Sequence, residues 1–200
     1  MKQSMLYLLF FAVGILLTVT GLLPEVLKDE RISKGILYLL LFLVGLQIGS
    51  GRNILRVLGR YGAKIMLLPL ATTLGTFAGV SLISLLLPDR SLTDCLSVGA
   101  GFAYYSLSSI LITSFRGAEL GTVALLANIL REFTVLLLAP WMVRYFGPLA
   151  PISAGGATTM DTTLPFISRY SGEEYVVIAL FHGMVIDFTV PLWVSFFLSL

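Results

Sequence analysis

Long stretches of the chain contain not one charged side chain, among them residues 3–24, 35–51, 65–88, 95–115, 133–143 and 176–186. A soluble domain spreads charge over roughly 25% of its positions, whereas these 200 residues are 12% charged and 57% hydrophobic. Apolar runs of this length exclude a water-soluble globule. The net charge of +2 comes from the ends of those runs and not from a basic face, which excludes a nucleic-acid-binding surface. The lone cysteine, Cys95, excludes an internal disulfide framework and reads as a small apolar residue near a helix start.

A spanning helix takes about 20 apolar residues, and five segments meet that requirement: about 5–23, 35–51, 64–87, 122–145 and 176–198. The apolar run after Lys2 is too long for a secretory leader, and Leu22, Leu23, Pro24 and Glu25 offer no small-residue cleavage site, so a retained first span is expected. Two further segments, about 95–116 and 152–167, are apolar enough for membrane depth but dense in glycine, serine and threonine, which weaken a helix. Irregular backbone survives at membrane depth only against protein or a water-filled cavity. Both segments therefore read as re-entrant hairpins beside a cavity.

On that reading Lys2, Arg52, Arg56, Arg60, Lys64, Arg144 and Arg169 lie inside, against Lys28, Arg31, Lys34, Arg90 and Arg116 outside, which puts the N-terminus in the cytoplasm. Full crossings give the same balance of charge, so composition alone favours hairpins. Each hairpin is followed by one long span of opposite direction. This is the outline of an inverted repeat, an architecture that places its substrate site near the midplane. The expected fold is all-α and integral to the membrane, with about five transmembrane helices and two broken, glycine-rich hairpins. One membrane domain covers residues 1–200: the first two spans and a cytoplasmic loop over 1–62, then repeat units over 63–146 and 147–200.

Function is sought among polar groups that have no inexpensive reason to be in lipid. Arg131 and Glu132 sit near the centre of one span, and each such charge costs about 2.5 to 3.5 kcal/mol unless it faces a wet interior. Asn128 shares a face with Glu132 at i, i+4. An Arg131–Glu132 pair pinning helices together is the structural alternative to a functional role. His182 and Asp187 lie on the last span, where Gly183 and Pro191 permit a local break. His182 reads either as a hydrogen-bonded core residue or as part of the site; Asp187, a carboxylate inside an apolar run, needs a cation or a proton.

Asp161 stands in the second glycine-rich segment among Thr158, Thr159, Thr162 and Thr163, either as the N-cap of a short helix beginning near Thr162 or as a cation and proton ligand. Gly101, Tyr104, Tyr105, Ser106 and Ser108 line the first hairpin, and Gly155, Gly156, Thr158, Thr159 and Thr162 the second. The aromatics Phe102, Tyr104 and Tyr105 fit either packing or a cation–π cover for an amine. No GxSxG, HExxH, Walker loop or dinucleotide fingerprint is present, so neither an enzyme, a cofactor nor a metal site is expected.

Taken in order, LLFLVGLQ at 40–47, AGFAYYSLS at 100–108, NILRE at 128–132, GGATTMDTTLP at 155–165, His182-Gly183 and Pro191 resemble the motifs of the lysine exporter (LysO) family of bacterial inner-membrane proteins. The resemblance covers 35–200 well and 5–23 loosely. It implies a multi-pass protein of the bacterial inner membrane that exports L-lysine and toxic lysine analogues from the cytoplasm, coupled to inward proton movement. Glu132 matches the family's intramembrane glutamate. Full-length members have a further N-terminal portion with additional spans and a second intramembrane acid, so the chain resembles a C-terminal half. Either a homo-oligomer or a separate N-terminal-half subunit would then complete it.

The chemistry of the residues runs in parallel. Lysine has one carboxylate and two ammonium groups; Arg131 and the hairpin tips suit the former, and Glu132, Asp161 and Asp187 the latter. In a low-dielectric site a carboxylate without its cation takes up a proton, so exclusive occupancy by proton or ammonium would give antiport. Two alternatives use the same residues: a cation/proton or other amino-acid transporter of similar architecture, and a non-transporting subunit that needs its partner.

Overall fold

The computed structural model describes residues 63–200, together with Val13, Leu16, Leu17, Thr20 and Leu39. The chain forms two compact units, Met1–Leu39 and Leu40–Leu200. In the first, Val13, Leu16 and Leu17 are helical, and the Thr20 N–H and hydroxyl both donate to the Leu16 carbonyl, at 2.9 and 2.7 Å. The expected spans at 5–23 and 35–51, and the loop that completes 1–62, lie outside the described residues.

In the second unit a short 3-10 turn, Ala63–Met66, leads into α1, Leu67–Ser84. α2 is Leu92–Gly99, α3 Tyr105–Arg116 and α4 Ala118–Phe146. α5, Ala150–Gly155, passes into a 3-10 turn, Gly156–Met160, and then into α6, Leu164–Ser171; α7 is Val176–Ser199. No strand occurs among the described residues.

Three of these elements, Leu67–Ser84, Ala118–Phe146 and Glu173–Ser199, are long and apolar enough to cross a membrane. α1 shows which solvent they meet: its buried residues are Pro69, Thr72 and Thr73, while Leu67, Leu70, Leu74 and Leu82 stand exposed. A water-soluble helix buries its leucines and exposes its threonines. The reversal belongs to a helix in lipid, where hydroxyls seek protein partners and leucine needs none. The protein is an all-α, multi-pass membrane protein.

Each broken segment has the expected position, and its two limbs lie together. At the first, the outer ends of α2 and α3 are joined by an ion pair between Asp94 and Arg116, 3.0 Å, and Arg90 pairs with Glu119 at the start of α4. At the second, Ile152 of α5 and Ile167 of α6 are fully buried in one apolar cluster with Ala179 of α7. Both segments are therefore helical hairpins. They leave opposite ends of α4: α3 turns into its first residue through Gly117, and α5 follows its last through Gly147, both at positive φ (91° and 87°).

α4 receives both hairpins on one stripe. Its buried residues, Leu120, Gly121, Ala124, Asn128, Glu132, Val135 and Ala139, recur at helical spacing. Three of the seven, Gly121, Ala124 and Ala139, are small, which lets a hairpin lie directly on the helix. A Cβ at Gly121 would overlap the Thr113 hydroxyl of α3. α7 closes the other side, packing on α2, α3 and the 156–160 turn. It runs unbroken through Gly183 and Pro191, so the local break that those residues permit does not occur. Neighbouring elements on several sides hold the helix in line.

Candidate functional site

The hairpin tips meet halfway along α4. The Ala157 N–H donates to the Phe102 carbonyl at 2.9 Å, joining the second tip to the first. The contact is backbone to backbone, which explains the glycine beside it: Gly156 sits at φ 61°, and a Cβ there would strike the Phe102 carbonyl oxygen. The first tip pays for its shape differently, since Phe102 and Ala103 themselves adopt φ 43° and 70°, and both are buried. Non-glycine residues persist in such backbone only where their surroundings over-determine it.

Those surroundings come from one turn of α4. The Asn128 side-chain oxygen accepts from the Ala103 N–H at 2.8 Å, and its amide nitrogen donates to the carbonyls of Ala124, 2.9 Å, and Val98, 3.2 Å, and to the Ser108 hydroxyl, 3.5 Å. Gly101 is required alongside, because a Cβ would overlap the Asn128 amide. The Ser108 hydroxyl also donates to the Tyr104 carbonyl at 2.8 Å. Arg131 makes no ion pair with Glu132. Its Nε donates to the Ala154 carbonyl at 2.8 Å, and one Nη donates to the Ser153 carbonyl, 3.3 Å, and the Thr76 hydroxyl, 3.4 Å. The guanidinium also lies 5.3 Å from the centre of the Phe102 ring.

The second tip is satisfied by its own hydroxyls. Thr158 donates to the Gly155 carbonyl at 2.9 Å and Thr163 to the Thr158 carbonyl at 3.0 Å. The Thr159 hydroxyl approaches the Gly156 and Ala179 carbonyls, 2.9 Å each, and His182 Nδ1 at 3.3 Å. His182 is fully buried, and its Nε2 lies 3.0 Å from the Thr72 hydroxyl, itself 2.8 Å from that of Ser153. The imidazole thus bridges α1, α7 and the tip. Close approach here depends on Gly183, where a Cβ would come within 2.8 Å of Met160 and Thr159.

Three carboxylates gather where the tips meet. Glu132 and Asp187 are each 6% exposed, and Asp161 is open. The Thr162 side chain faces Glu132; Asp161 is in electrostatic reach of Glu132 and Asp187, and Tyr104 of Asp161 and Asp187. Asp161 does not cap the short helix. α6 begins at Leu164 with Thr163 at the N-cap position, and the Asp161 carboxylate instead accepts from the Thr162 N–H at 2.5 Å. Among the described residues no three acidic, histidine or cysteine side chains are close enough to hold one metal ion.

Of the residues singled out from the sequence, Glu132, Asp161, Asp187 and Tyr104 are thus brought into one region. Tyr105 opens α3 beside them, Ser106 is exposed, and Gly101, Gly155, Gly156, Thr158, Thr159 and Ser108 build the tips. Asn128, Arg131 and His182 are engaged with backbone or hydroxyl partners. Thr72, Thr76 and Ser153 join the network without having been singled out. Their only advance signal was hydroxyls in segments otherwise without polar side chains.

The protein family described as lysine exporter LysO matches residues 8–198. The lysine exporter LysO of Escherichia coli (strain K12) is 34% identical over 167 residues, which cover 82% of this chain and 54% of that protein. A protein named putative lysine exporter from Haemophilus influenzae is 32% identical over 164 residues, covering 82% of this chain and 83% of its own length. The chain spans about half the length of the Escherichia coli relative. No solved structure matches it.

Proposed function

Because the chain belongs to the lysine exporter LysO family, we propose that it exports L-lysine, and cationic analogues of it, across the bacterial inner membrane as a secondary transporter, in exchange for protons. One observation carries this reading. Glu132, Asp161 and Asp187 share a region at the meeting point of two hairpin tips, and among the described residues none of the three carboxylates has an ion pair, while Arg131, on the same turn as Glu132, is bonded to the carbonyls of Ser153 and Ala154. Buried negative charge without a counter-ion demands a cationic guest or protons. Among the described residues these acids form no cluster that could hold a metal ion, and more than one carboxylate is what a solute with two ammonium groups requires.

In this mechanism Glu132 and Asp161 take one ammonium, with Thr162 between them, and Asp187 takes the other beside the Tyr104 ring. The substrate carboxylate is met by the start of α3, whose N-cap residue, Tyr104, makes no side-chain cap and leaves first-turn amides directed at the site. When lysine departs outward, the carboxylates accept protons, because the desolvated charged form is disfavoured. Proton and ammonium then occupy the acids in turn. The two hairpins act as re-entrant halves of an inverted repeat within one membrane domain, with the N-terminus in the cytoplasm, and alternating access rocks them about their shared tip. The chain works as a homo-oligomer or with a separate subunit supplying the remaining length of the longer relatives.

Vesicles containing the purified chain and loaded with L-lysine test this directly. Lysine efflux should accelerate when the outer medium is acidified, and Glu132→Gln should abolish it while lysine analogues and arginine compete in the parent protein. Full pH-dependent efflux by Glu132→Gln would falsify the coupling role. Efflux driven by sodium and indifferent to lysine would replace the substrate.

A further inference from the structure

Two polar residues on the same turn as Glu132 remain without a task in that mechanism, although each is bonded at a strategic point. Asn128 and Arg131 are three residues apart on α4 and project to neighbouring positions on its surface. Asn128 touches only the first hairpin and its own helix. Its amide has two N–H donors and one carbonyl acceptor, and both kinds of group are engaged by Ala103, Val98, Ala124 and Ser108. It holds Ala103 in the left-handed backbone that gives the tip its shape.

Arg131 touches both hairpins. The carbonyls it receives, those of Ser153 and Ala154, belong to the last turn of α5, where a helix has carbonyls without intrahelical partners. The guanidinium satisfies them and opposes the negative end of the helix. Its plane also contacts Phe102 of the first tip, the residue whose carbonyl receives Ala157. A substrate carboxylate would have to displace those backbone bonds in order to use this cation.

We propose that Asn128 and Arg131 are positioning residues that clamp one hairpin tip each to the middle of α4, so that neither binds the substrate and together they set the register in which Tyr104 and Asp161 face it. The ligand half of this inference rests on the lysine-export reading; the clamp itself does not. Displacing one tip strains the other through Arg131, so the tips move as a pair.

The test compares two ligands on the full chain in lipid nanodiscs: L-lysine, and 1,5-diaminopentane, which has both amines and no carboxylate. A charge-assisted hydrogen bond is worth about 1.5 to 3 kcal/mol, and about 1.4 kcal/mol is tenfold. Arg131→Gln and Asn128→Ala should therefore weaken both ligands by the same factor, about tenfold, and Arg131→Lys should recover part of the loss for both. A loss confined to lysine would make Arg131 a ligand for the substrate carboxylate and overturn the proposal.

Hydrogen exchange supplies the arm that needs no ligand. The Ala103 and Ala157 amides should exchange about tenfold faster in Arg131→Gln or Asn128→Ala, with α1 and the outer turns of α4 unchanged. The gentler Arg131→Lys should accelerate Ala157 alone. Unaltered exchange at both tips, or acceleration spread evenly over the unit, would overturn the clamp. If the parent protein binds neither ligand, the transport reading fails, and exchange still decides the clamp.

Discussion

The two hairpins have one topology and opposite chemistries at the tip. The first turns on Ala100, Phe102 and Ala103, apolar and buried, with the unfavourable backbone angles placed on residues that have side chains. Its own bonds are backbone turns, among them the Phe102 N–H to the Gly99 carbonyl and the Tyr104 N–H to the Gly101 carbonyl, and the Ala103 N–H between them is held from outside by Asn128. The second turns on Gly156, which adopts positive φ at no steric cost, and satisfies itself through Thr158, Thr159 and Thr163. It also contributes the open acid, Asp161. One tip is thus a strained apolar turn held by Asn128, and the other a polar knot whose threonines bond within it and whose first limb is held by Arg131. Two hairpins that share one helix can divide labour between them without sharing a chemistry.

Substitutions that exchange the two strategies should fail unequally. The largest effect is expected of Gly156→Ala, which adds a side chain at φ 61° and drives it into the Phe102 carbonyl; strain and the broken tip contact together should cost about 4 kcal/mol. Thermal unfolding in detergent should show it as a melting point lowered well beyond that of any other single change discussed here. Thr159→Val keeps the volume but removes the hydroxyl that approaches the Ala179 carbonyl and His182, for about 2 kcal/mol. A neutral result would mean that the polar knot contributes shape alone.

Gly147→Ala meets nothing within 4 Å and is left with its backbone angle of φ 87° only. It should cost about 1 to 2 kcal/mol and leave the tip amides protected in hydrogen exchange. The smallest effect has the opposite sign. Ala103→Gly relieves φ 70° at the first tip and, after the extra entropy lost by glycine, should stabilise by about 0.5 kcal/mol. Destabilisation there by a full kcal/mol would mean that the first tip is not strained, and the comparison between the hairpins would dissolve.

Much of this frame was legible as text. The spans expected at 64–87, 122–145 and 176–198 correspond to α1, α4 and α7, because twenty apolar residues admit little else in a membrane. The two glycine-rich segments announced themselves through residues that weaken a helix, and each is helical on both limbs with its break at the tip. The roles inside the site were less accessible. Arg131 and Glu132 are adjacent in sequence, and periodicity alone could not tell that the arginine turns to carbonyls over twenty residues away. Asp161 fitted a cap by composition, yet α6 starts a residue pair later and leaves it open. Thr72 was invisible for the same reason: a hydroxyl gains its meaning from a partner, and His182 lies 110 residues further along.

The backbone bond between Phe102 and Ala157 also constrains how such a chain can be made. During synthesis the first tip emerges long before its partner, with Asn128, Arg131 and the earlier Phe77 available to restrain it. Local contacts close early and distant ones late, so α2, α3 and α4 precede the contact between the tips, which forms once the second hairpin is in place. The last helix to leave the translocation machinery then seals His182 and Gly183 over the joint. Truncation after α4 would leave a nascent chain whose first tip keeps Asn128 but lacks the Ala157 N–H for its Phe102 carbonyl.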